Sequence, residues 1–371
     1  MKLACFFIAS IAAIATAIPI YENDVLNLNE TISSPSNEED WQLVPDSDGK
    51  LHLVDINNVN LEIEPLFNAF NDIVFHLWTR ANVNSPQIVT IYNNAQLDAS
   101  HFSPQRQIRF HIHGWGAGGP TWGGPIRSAL LTHVDCNYFL VDWGAGSNTV
   151  NYITARNRVN MSGAVVAQFI DWLNTRGLPF SAITIVGSSL GAHLGGAAGK
   201  RTTRGRVAAI AGLDPAGPLF SLDVPADRLH STDADYVESH VTDAGRLGKL
   251  FIAKIIFFHS SFEIILGFEH PIGHSNFYPN WGTSQPGCGA DLVGQCGHFL
   301  VSDFFAASIN SANIFGSIRC RNLEDIRQRN CVVSGPSKRM GGDPLQDGPG
   351  IVGSVYFLTT DGVYPFAHGP R

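Results

Sequence analysis

The sequence predicts an α/β fold with a mainly parallel central sheet and helices on both of its faces. Short apolar runs rich in β-branched residues alternate with helical patterns along most of the chain, as is typical of such folds. A glycine-rich turn, GSSLG at residues 187–191, joins one apolar run directly to a helical run of small residues. The chain has 371 residues and is 44% hydrophobic, so it can bury a large core.

Four strands and a helix are predicted around this turn. The strands are the apolar runs at residues 107–113, 138–142, 183–186 and 207–213. Between the second and the third, Met161, Val165, Phe169 and Trp172 are spaced for one face of a helix, which Gly177 ends. Functional groups gather at the carboxyl ends of parallel strands, so the residues that follow these strands are the candidates for a site.

The first 17 residues have the pattern of a signal peptide. Lys2 precedes an apolar run over residues 3–14, and Ala15-Thr-Ala17 forms a small-residue cleavage site. The alternative, a signal anchor, is disfavoured because the run is too short to cross a bilayer. We therefore expect a secreted, extracellular protein with an irregular segment over residues 18–65 and a folded domain over residues 66–371.

An exported chain can form disulfides, and cleavage of the signal leaves five of the six cysteines. Two close pairs are predicted to be bridged, namely Cys288–Cys296 and Cys320–Cys331. The fifth cysteine, Cys136, lies beside an apolar strand and is expected to be a free, buried thiol. A zinc site is the alternative for the four paired cysteines, but they lack the C-x2-C spacing of such sites.

The surface is expected to be acidic and glycosylated. The net charge of −8 argues against a nucleic-acid partner and provides no basic patch for anionic membranes. Asn29 and Asn160 begin glycosylation sequons, which can be used only where they are exposed.

The GSSLG turn matches the nucleophile elbow, in which a serine lies at the apex of a strand–turn–helix unit. Its two glycines leave room for a strained turn and for close packing of the strand on the helix. Ser189 is therefore the candidate nucleophile. An ordinary glycine-rich turn is the alternative, because a chain with 37 glycines can contain this short motif by chance.

A serine nucleophile needs a base, a carboxylate that orients the base, and donors for the oxyanion. In α/β-hydrolases these residues follow in the order Ser, Asp or Glu, then His. Asp214 ends the predicted strand at 207–213 and is the candidate carboxylate, although an Asp before Pro215 also commonly begins a turn. His298 is the candidate base, since it follows Cys296 and opens a helical run. Spacing alone leaves six other histidines open, namely His230, His240, His259, His270, His274 and His368.

Two backbone amides are candidates for the oxyanion hole. The sequence His113-Gly114-Trp115-Gly116 follows a predicted strand, and Leu190 follows the candidate nucleophile. The N–H groups of Trp115 and Leu190 would then be the two donors. Such a mechanism needs no cofactor.

These motifs, in their order and spacing, resemble the pancreatic-lipase family of secreted neutral lipases, in particular its single-domain insect members. The resemblance extends from about residue 41 to the C-terminus and includes the Cys320/Cys331 spacing. The matching segments are WQLVPD (41–46), HIHGW (111–115), VDWGAGS (141–147), VGSSLGAHLGG (186–196), GLDPAGP (212–218), HSNFYPN (274–280), PGC…CGH (286–298) and YFLTT (356–360). The resemblance implies an α/β-hydrolase fold with the catalytic triad Ser189, Asp214 and His298.

The resemblance also implies a function and a set of partners. We expect a carboxylic-ester hydrolase that acts on triacylglycerols or phospholipids at a lipid surface. The family also includes yolk proteins that keep the fold, lose the triad and store or bind ligands, and this is the alternative. Members with a C-terminal β-sandwich domain continue well beyond YFLTT. This chain stops at Arg371, so neither that domain nor the colipase that docks on it is expected.

The lid departs from the family pattern. In the family, the loop that matches Cys288 to Cys296 covers the site, whereas here only seven residues lie between these cysteines. So short a loop cannot form a covering helix, and we expect an open cleft. Short lids in the family accompany phospholipase A1-type activity, and long lids accompany triglyceride preference.

Residues 249–266 (KLFIAKIIFFHSSFEIIL) interrupt the family pattern. Eleven of these 18 residues are Lys, Phe or Ile, whose codons are rich in A and T, and the two edges can encode a splice donor and acceptor. We predict a translated 54-nucleotide intron. One alternative is an apolar flap that inserts into lipid. The other, a membrane span, is disfavoured by Lys254 and Glu263.

Calcium is not expected. Some relatives bind it through acidic residues after the triad aspartate. The matching stretch keeps Asp233 but has His230 where an acid is usual, and one carboxylate does not make a tight site.

Overall fold

The computed structural model describes residues 41–56, 67–244, 267–291, 294–345 and 350–370. The predicted signal peptide, the Asn29 sequon and the predicted insertion at 249–266 lie outside these residues. None of the helices in the described ranges has the length and apolar character needed to cross a membrane.

The described chain begins with a β-hairpin. Strands β1 (Trp41–Pro45) and β2 (Leu51–Asp55) pair antiparallel. Val44 and Val54 lie in the main hydrophobic core. The hairpin lies within the N-terminal segment predicted over residues 18–65, where its two short apolar runs pair through a polar turn and bury their valines together.

The central sheet predicted from the sequence is present. Its strands, in chain order, are β3 (Val74–Trp78), β4 (Gln87–Val89), β5 (Gln107–Ile112), β6 (Cys136–Asp142), β7 (Ile183–Ser188), β8 (Ala209–Leu213), β9 (Tyr236–His240), β10 (Ser275–Pro279), β11 (Gly316–Cys320), β12 (Lys338–Arg339) and β13 (Ser354–Leu358). Their spatial order is β12-β11-β13-β10-β9-β8-β7-β5-β6-β3-β4. Strands β13 to β6 in this order are parallel, and the outer pairs are antiparallel.

Helices cover both faces of the sheet. They are α1 (Ala69–Asp72), α2 (Asn94–Asp98), α3 (Gly124–His133), α4 (Gly144–Ser147), α5 (Tyr152–Thr175), α6 (Leu190–Arg201), α7 (Gln295–Ile309) and α8 (Leu323–Arg327). Alternate residues of β6 enter different cores: Phe139 and Val141 join the core under α5 and α6, and Tyr138 and Leu140 join the core under α3 and α7. This period-two burial confirms the doubly covered parallel sheet.

The predicted helical face lies on α5 with one exception. The Asn151 side chain caps its first turn, and Val165, Phe169 and Trp172 are buried. Met161, on the same predicted helical face, is 49% exposed. The crossing of α5 with α6 explains this, because a Cβ at the neighbouring Gly163 would lie 2.5 Å from the Ala197 side chain. That contact fixes which side of α5 faces inwards and turns Met161 outwards.

Both predicted disulfides are present. The Cα atoms of Cys288 and Cys296 are 5.6 Å apart, and those of Cys320 and Cys331 are 5.0 Å apart. Cys136 is free and buried, and burial raises the pKa of its thiol to about 12. The thiol is therefore protonated and unreactive at neutral pH.

The chain ends that flank residues 245–266 lie close together. The amide of Gly267 donates to the carbonyl of Asp243 at 2.9 Å, and the amide of Phe268 donates to the carbonyl of Pro215 at 2.6 Å. Removal of residues 249–266 would leave residues 245–248 to connect ends that already meet. This geometry is compatible with the predicted intron.

A variant that lacks residues 249–266 is expected to fold, because a shorter connection between adjacent ends lowers the entropy cost of closing the loop. Its melting temperature should fall no more than about 4 °C below that of the full chain, which corresponds to about 1 kcal/mol. Thermal denaturation of both forms measures this. Transcripts that retain the 54 nucleotides in most copies would contradict the intron hypothesis.

Candidate active site

Ser189 lies in a strained turn between β7 and α6. Its φ is 55° and its ψ is −123°. A Cβ at Gly187 would lie 2.2 Å from the Gly191 carbonyl oxygen, and one at Gly191 would lie 2.3 Å from the Ile112 carbonyl oxygen. Both positions therefore require glycine. Such a backbone conformation at a serine costs about 1–3 kcal/mol, and the packing around it must hold it in place.

Asp214 follows β8 and is fixed from three sides. Its Oδ1 accepts hydrogen bonds from the amides of Thr242 at 2.8 Å and Asp243 at 3.0 Å. Its own amide donates to the carbonyl of His240 at 2.8 Å. The side chain is fully buried. Two backbone N–H groups stabilise the carboxylate charge in this interior position, so the residue does more than begin a turn.

His298 lies in the first turn of α7 and meets Asp214. Its Nδ1 is 2.6 Å from Asp214 Oδ2, and the residue is 7% exposed. The Cys288–Cys296 disulfide closes the loop just before it. With Nδ1 held by the carboxylate, Nε2 is the nitrogen that can exchange a proton with a substrate or a nucleophile.

The rival histidines have other partners where the structure describes them. His240 bonds Glu238 at 2.6 Å, and His274 accepts from the Val237 amide at 3.0 Å. His230 caps a short 3-10 helix, His368 pairs with Asp361, and the His270 ring contacts Phe268. His259 lies outside the described residues. Among the described histidines, His298 alone bonds Asp214.

A cavity of about 200 Å³ joins Ser189 and His298. Apolar side chains, including Trp122, Ile126 and Phe299, form much of its wall. The cavity lies at the carboxyl edge of the sheet, where β7 and β8 end. The structure thus places Ser189 and His298 around one cavity, and the His298 imidazole is hydrogen-bonded to the buried Asp214 carboxylate behind it.

The predicted oxyanion donors lie on either side of Ser189. Leu190 is the first residue of α6, so its N–H belongs to the helix-terminal amides that have no acceptor within the helix. Gly114 packs directly on Ser189, because a Cβ at Gly114 would lie 2.9 Å from the Ser189 Cβ. Trp115 follows Gly114 and lines the cavity. A side chain larger than hydrogen at residue 114 would collide with the nucleophile.

The N-terminal hairpin holds the loop that carries the predicted oxyanion donor Trp115, a contact that the sequence did not indicate. The amide and Oγ of Ser47 both donate to the carbonyl of Trp115, at 3.0 and 2.5 Å. The ring centroids of His52 and Trp115 are 4.7 Å apart. The turn between β1 and β2 is polar and irregular in sequence. In the sequence, the one indication that this turn is important was its position next to WQLVPD (41–46), a segment that resembles the family.

Asp142 anchors the other end of the same loop. Its carboxylate accepts hydrogen bonds from the amides of Gly119 at 2.9 Å and Gly144 at 3.0 Å. Burial raises the pKa of Asp142, but hydrogen bonds from His113, His76 and the Gly144 amide hold it well below its usual range. The carboxylate stays charged at neutral pH and ties the loop to the end of β6.

Asp233, the acidic residue that remains in the stretch matching the relatives' calcium site, forms an ion pair with Lys200. Its Oδ2 lies 2.5 Å from Lys200 Nζ and accepts from the amide of His230 at 2.8 Å. Burial raises the pKa of Asp233 to about 6. In the described residues a group of potential metal ligands occurs at Cys288, Asp291 and Cys296, but both sulfurs belong to a disulfide.

The Asn160 sequon has an engaged side chain. Its Nδ2 donates to Asp227 Oδ1 at 3.0 Å, and its Oδ1 accepts from Arg201 at 3.2 Å. The residue is half-buried within α5. This geometry argues against the predicted glycosylation at Asn160, because the amide nitrogen is already bonded to the protein.

The strained serine after β7, the buried carboxylate after β8 and the histidine bonded to it have the arrangement of the α/β-hydrolase class. Residues 47–366 match the family described as Lipase. The chain therefore belongs to the lipase family, in its pancreatic-lipase branch.

Curated relatives agree with this assignment. Lipase member H of Oryctolagus cuniculus is 31% identical over 70% of this chain and 54% of its own length. Pancreatic lipase-related protein 3 of Homo sapiens is 32% identical over 79% of this chain and 64% of its own. Pancreatic triacylglycerol lipase of Myocastor coypus is 32% identical over 72% and 59%. This chain spans about half the length of the Lipase member H relatives.

Replacement of Ser47 by Ala is expected to lower kcat about tenfold with little change in KM. The Trp115 carbonyl loses one of its two hydrogen bonds from residue 47, so the residue that carries the proposed oxyanion N–H is held less firmly. Loss of a whole oxyanion donor costs about 100-fold or more. Ser47→Thr, which keeps the hydroxyl, should restore kcat. Steady-state hydrolysis of a soluble ester measures both constants. Asp48→Ala in the same exposed turn is the control, and an equal loss of kcat in that variant would contradict the role of Ser47.

Proposed function

We propose that this protein is a secreted serine carboxylic-ester hydrolase that cleaves fatty-acyl esters of glycerolipids. The 2.6 Å contact between His298 and Asp214, beside a cavity that also contains Ser189, carries the proposal. Membership of the lipase family supports the reaction class. The proposed reaction needs no cofactor.

In the proposed mechanism Ser189 Oγ attacks the acyl carbonyl and its proton passes to His298 Nε2. Asp214 keeps the ring in the tautomer that leaves Nε2 free and stabilises the imidazolium that forms. The N–H groups of Trp115 and Leu190 donate to the oxyanion. His298 then protonates the leaving alcohol. In the second half of the reaction, water attacks the acyl carbonyl while His298 accepts its proton, and His298 then returns a proton to Ser189 Oγ.

The substrate class follows from two observations. One relative is named pancreatic triacylglycerol lipase, which specifies triacylglycerol for that protein. The loop between Cys288 and Cys296 has seven residues, which is too short for a covering helix, and this favours phospholipid access. We therefore propose that both triacylglycerols and phospholipids are cleaved at a lipid surface, the latter at the sn-1 ester.

Export is part of the proposal. The signal-peptide pattern of residues 1–17 supports it, and so do two disulfides, which persist in oxidising compartments. The non-catalytic storage function remains the alternative to catalysis, and reactivity of Ser189 separates the two.

A fluorophosphonate probe is expected to label Ser189 in the folded protein, because only an activated serine reacts with it. Ser189→Ala should abolish labelling and lower kcat/KM by about 10⁴-fold or more, since the remaining site can still bind substrate. Mass spectrometry of the labelled peptide identifies the site, with heat-denatured protein as control. A native protein that resists the probe would favour storage over catalysis.

Mixed vesicles of triolein and phosphatidylcholine are expected to yield free fatty acid and 2-acyl lysophosphatidylcholine, because the short loop leaves the cleft open to both lipids. Chromatographic analysis of the products measures this, with Ser189→Ala as the inactive control. Release of fatty acid from triolein alone would refute the phospholipase part of the proposal.

A further inference from the structure

The helix that carries His298 begins without a capping side chain at its N-terminal boundary. α7 starts at Gln295, and Gly294, which precedes it with a φ of 73°, has no side chain that could bond the free amides. The His298 amide donates to the Gly294 carbonyl at 2.9 Å and makes the first bond of the helix. The amides before it have no acceptor within the helix, so the first turn needs an acceptor from elsewhere in the chain.

Asp291 supplies that acceptor. Its Oδ2 accepts from the Gly297 amide at 2.7 Å, and its Oδ1 accepts from the Cys296 amide at 3.2 Å. These are the second and third amides of α7, which are the ones that an aspartate at the N-cap position would bind. The carboxylate also places a negative charge at the positive end of the helix dipole. Asp291 therefore caps α7 from outside the helix.

The capped turn packs against the backbone that binds Asp214. A Cβ at Gly297 would lie 3.2 Å from the Thr242 carbonyl oxygen. A Cβ at Gly294 would overlap Oδ2 of Asp243. The amides of Thr242 and Asp243 are the two that bind Asp214 Oδ1. The first turn of α7 thus lies directly on the turn that fixes the carboxylate, and a shift of either turn changes the distance between the imidazole and the carboxylate.

The Cys288–Cys296 disulfide keeps Asp291 beside the helix. Asp291 lies within the loop that this bond closes, and one of its carboxylate oxygens is within 4.8 Å of both sulfur atoms. Only seven residues lie between the two cysteines. So short a closed loop limits how far the carboxylate can move from the start of α7.

We infer that Asp291 is a positioning residue, which holds the first turn of α7 so that the His298 imidazole keeps its bond to Asp214. The inference rests on the proposed ester-hydrolase function and adds a residue to its machinery. Among the described residues, those that line the cavity beside Ser189 do not include Asp291. Asp291 therefore acts through the position of His298, and its loss should affect turnover more than substrate binding.

The test measures hydrolysis of a soluble p-nitrophenyl ester by Asp291→Ala and Asp291→Asn in the full chain. Asp291→Ala is expected to lower kcat about tenfold and to change KM less than about twofold, because a displaced base costs mainly turnover. The rate constant for fluorophosphonate labelling of Ser189 should fall by a similar factor, since labelling needs the same base. Asp291→Asn keeps one acceptor oxygen and should lose only about threefold in kcat.

Asp325→Ala is the matched control. Asp325 lies inside the loop closed by the other disulfide, and its Oδ2 accepts from the amides of Arg321 at 3.1 Å and Val332 at 3.0 Å. It makes the same kind of contact but is not part of the cavity wall. Its replacement should lower the melting temperature and leave kcat per active site unchanged. Thermal denaturation gives the stability of each variant, and fluorophosphonate titration to completion gives its concentration of active sites.

An unchanged kcat per active site in Asp291→Ala would overturn the inference while leaving the ester-hydrolase proposal intact. An equal fall of kcat in Asp325→Ala would also overturn it, because general destabilisation would then explain both losses. If Asp291→Ala does not fold, Asp291→Asn decides, and a kcat equal to that of the unmodified protein refutes the inference. An unmodified protein that neither hydrolyses the ester nor is labelled at Ser189 would overturn the proposed function and the inference with it.

Discussion

The hydrogen bond between His298 Nδ1 and Asp214 Oδ2 is the contact on which the site depends. It joins residues 84 positions apart in the chain across 2.6 Å. The carboxylate can be charged in this buried position because two backbone amides bind its other oxygen. Low local polarity strengthens each of these bonds and makes the loss of any one of them costly. The ends of β8 and β9 and the start of α7 are therefore tied together at one charged group.

Close backbone packing provides the second requirement, which is a serine held in an unfavourable conformation. The contacts of Gly187 with Gly191 and of Gly191 with Ile112 leave no space for a side chain. These contacts bring β5, β7 and α6 together so tightly that Ser189 keeps a positive φ. Strain of this kind persists only where the surrounding structure determines it fully. The core under α5 and α6 thus has a direct effect on the position of Ser189.

The loop that carries the proposed oxyanion donor Trp115 has two anchors that come from distant parts of the chain. Ser47 holds the Trp115 carbonyl from the N-terminal hairpin, and Asp142 binds the Gly119 amide from the end of β6. A loop held at both ends can present an amide to a developing charge without reorganising during the reaction.

The sequence by itself determined the parallel sheet, the elbow at Ser189, the carboxylate Asp214 and the two disulfide pairs. Each of these is local: a period of burial, a glycine required by a turn, a residue that follows a strand, or a short spacing between cysteines. Residue spacing left seven histidines open, and only the family resemblance selected His298.

Only the tertiary structure showed that His298 meets Asp214, that Met161 faces outwards and that the hairpin clamps Trp115 through Ser47. These facts depend on which surfaces meet when helices and strands pack. Contacts between residues far apart in the chain leave no period or spacing in the sequence, because they are decided by packing and not by neighbouring residues.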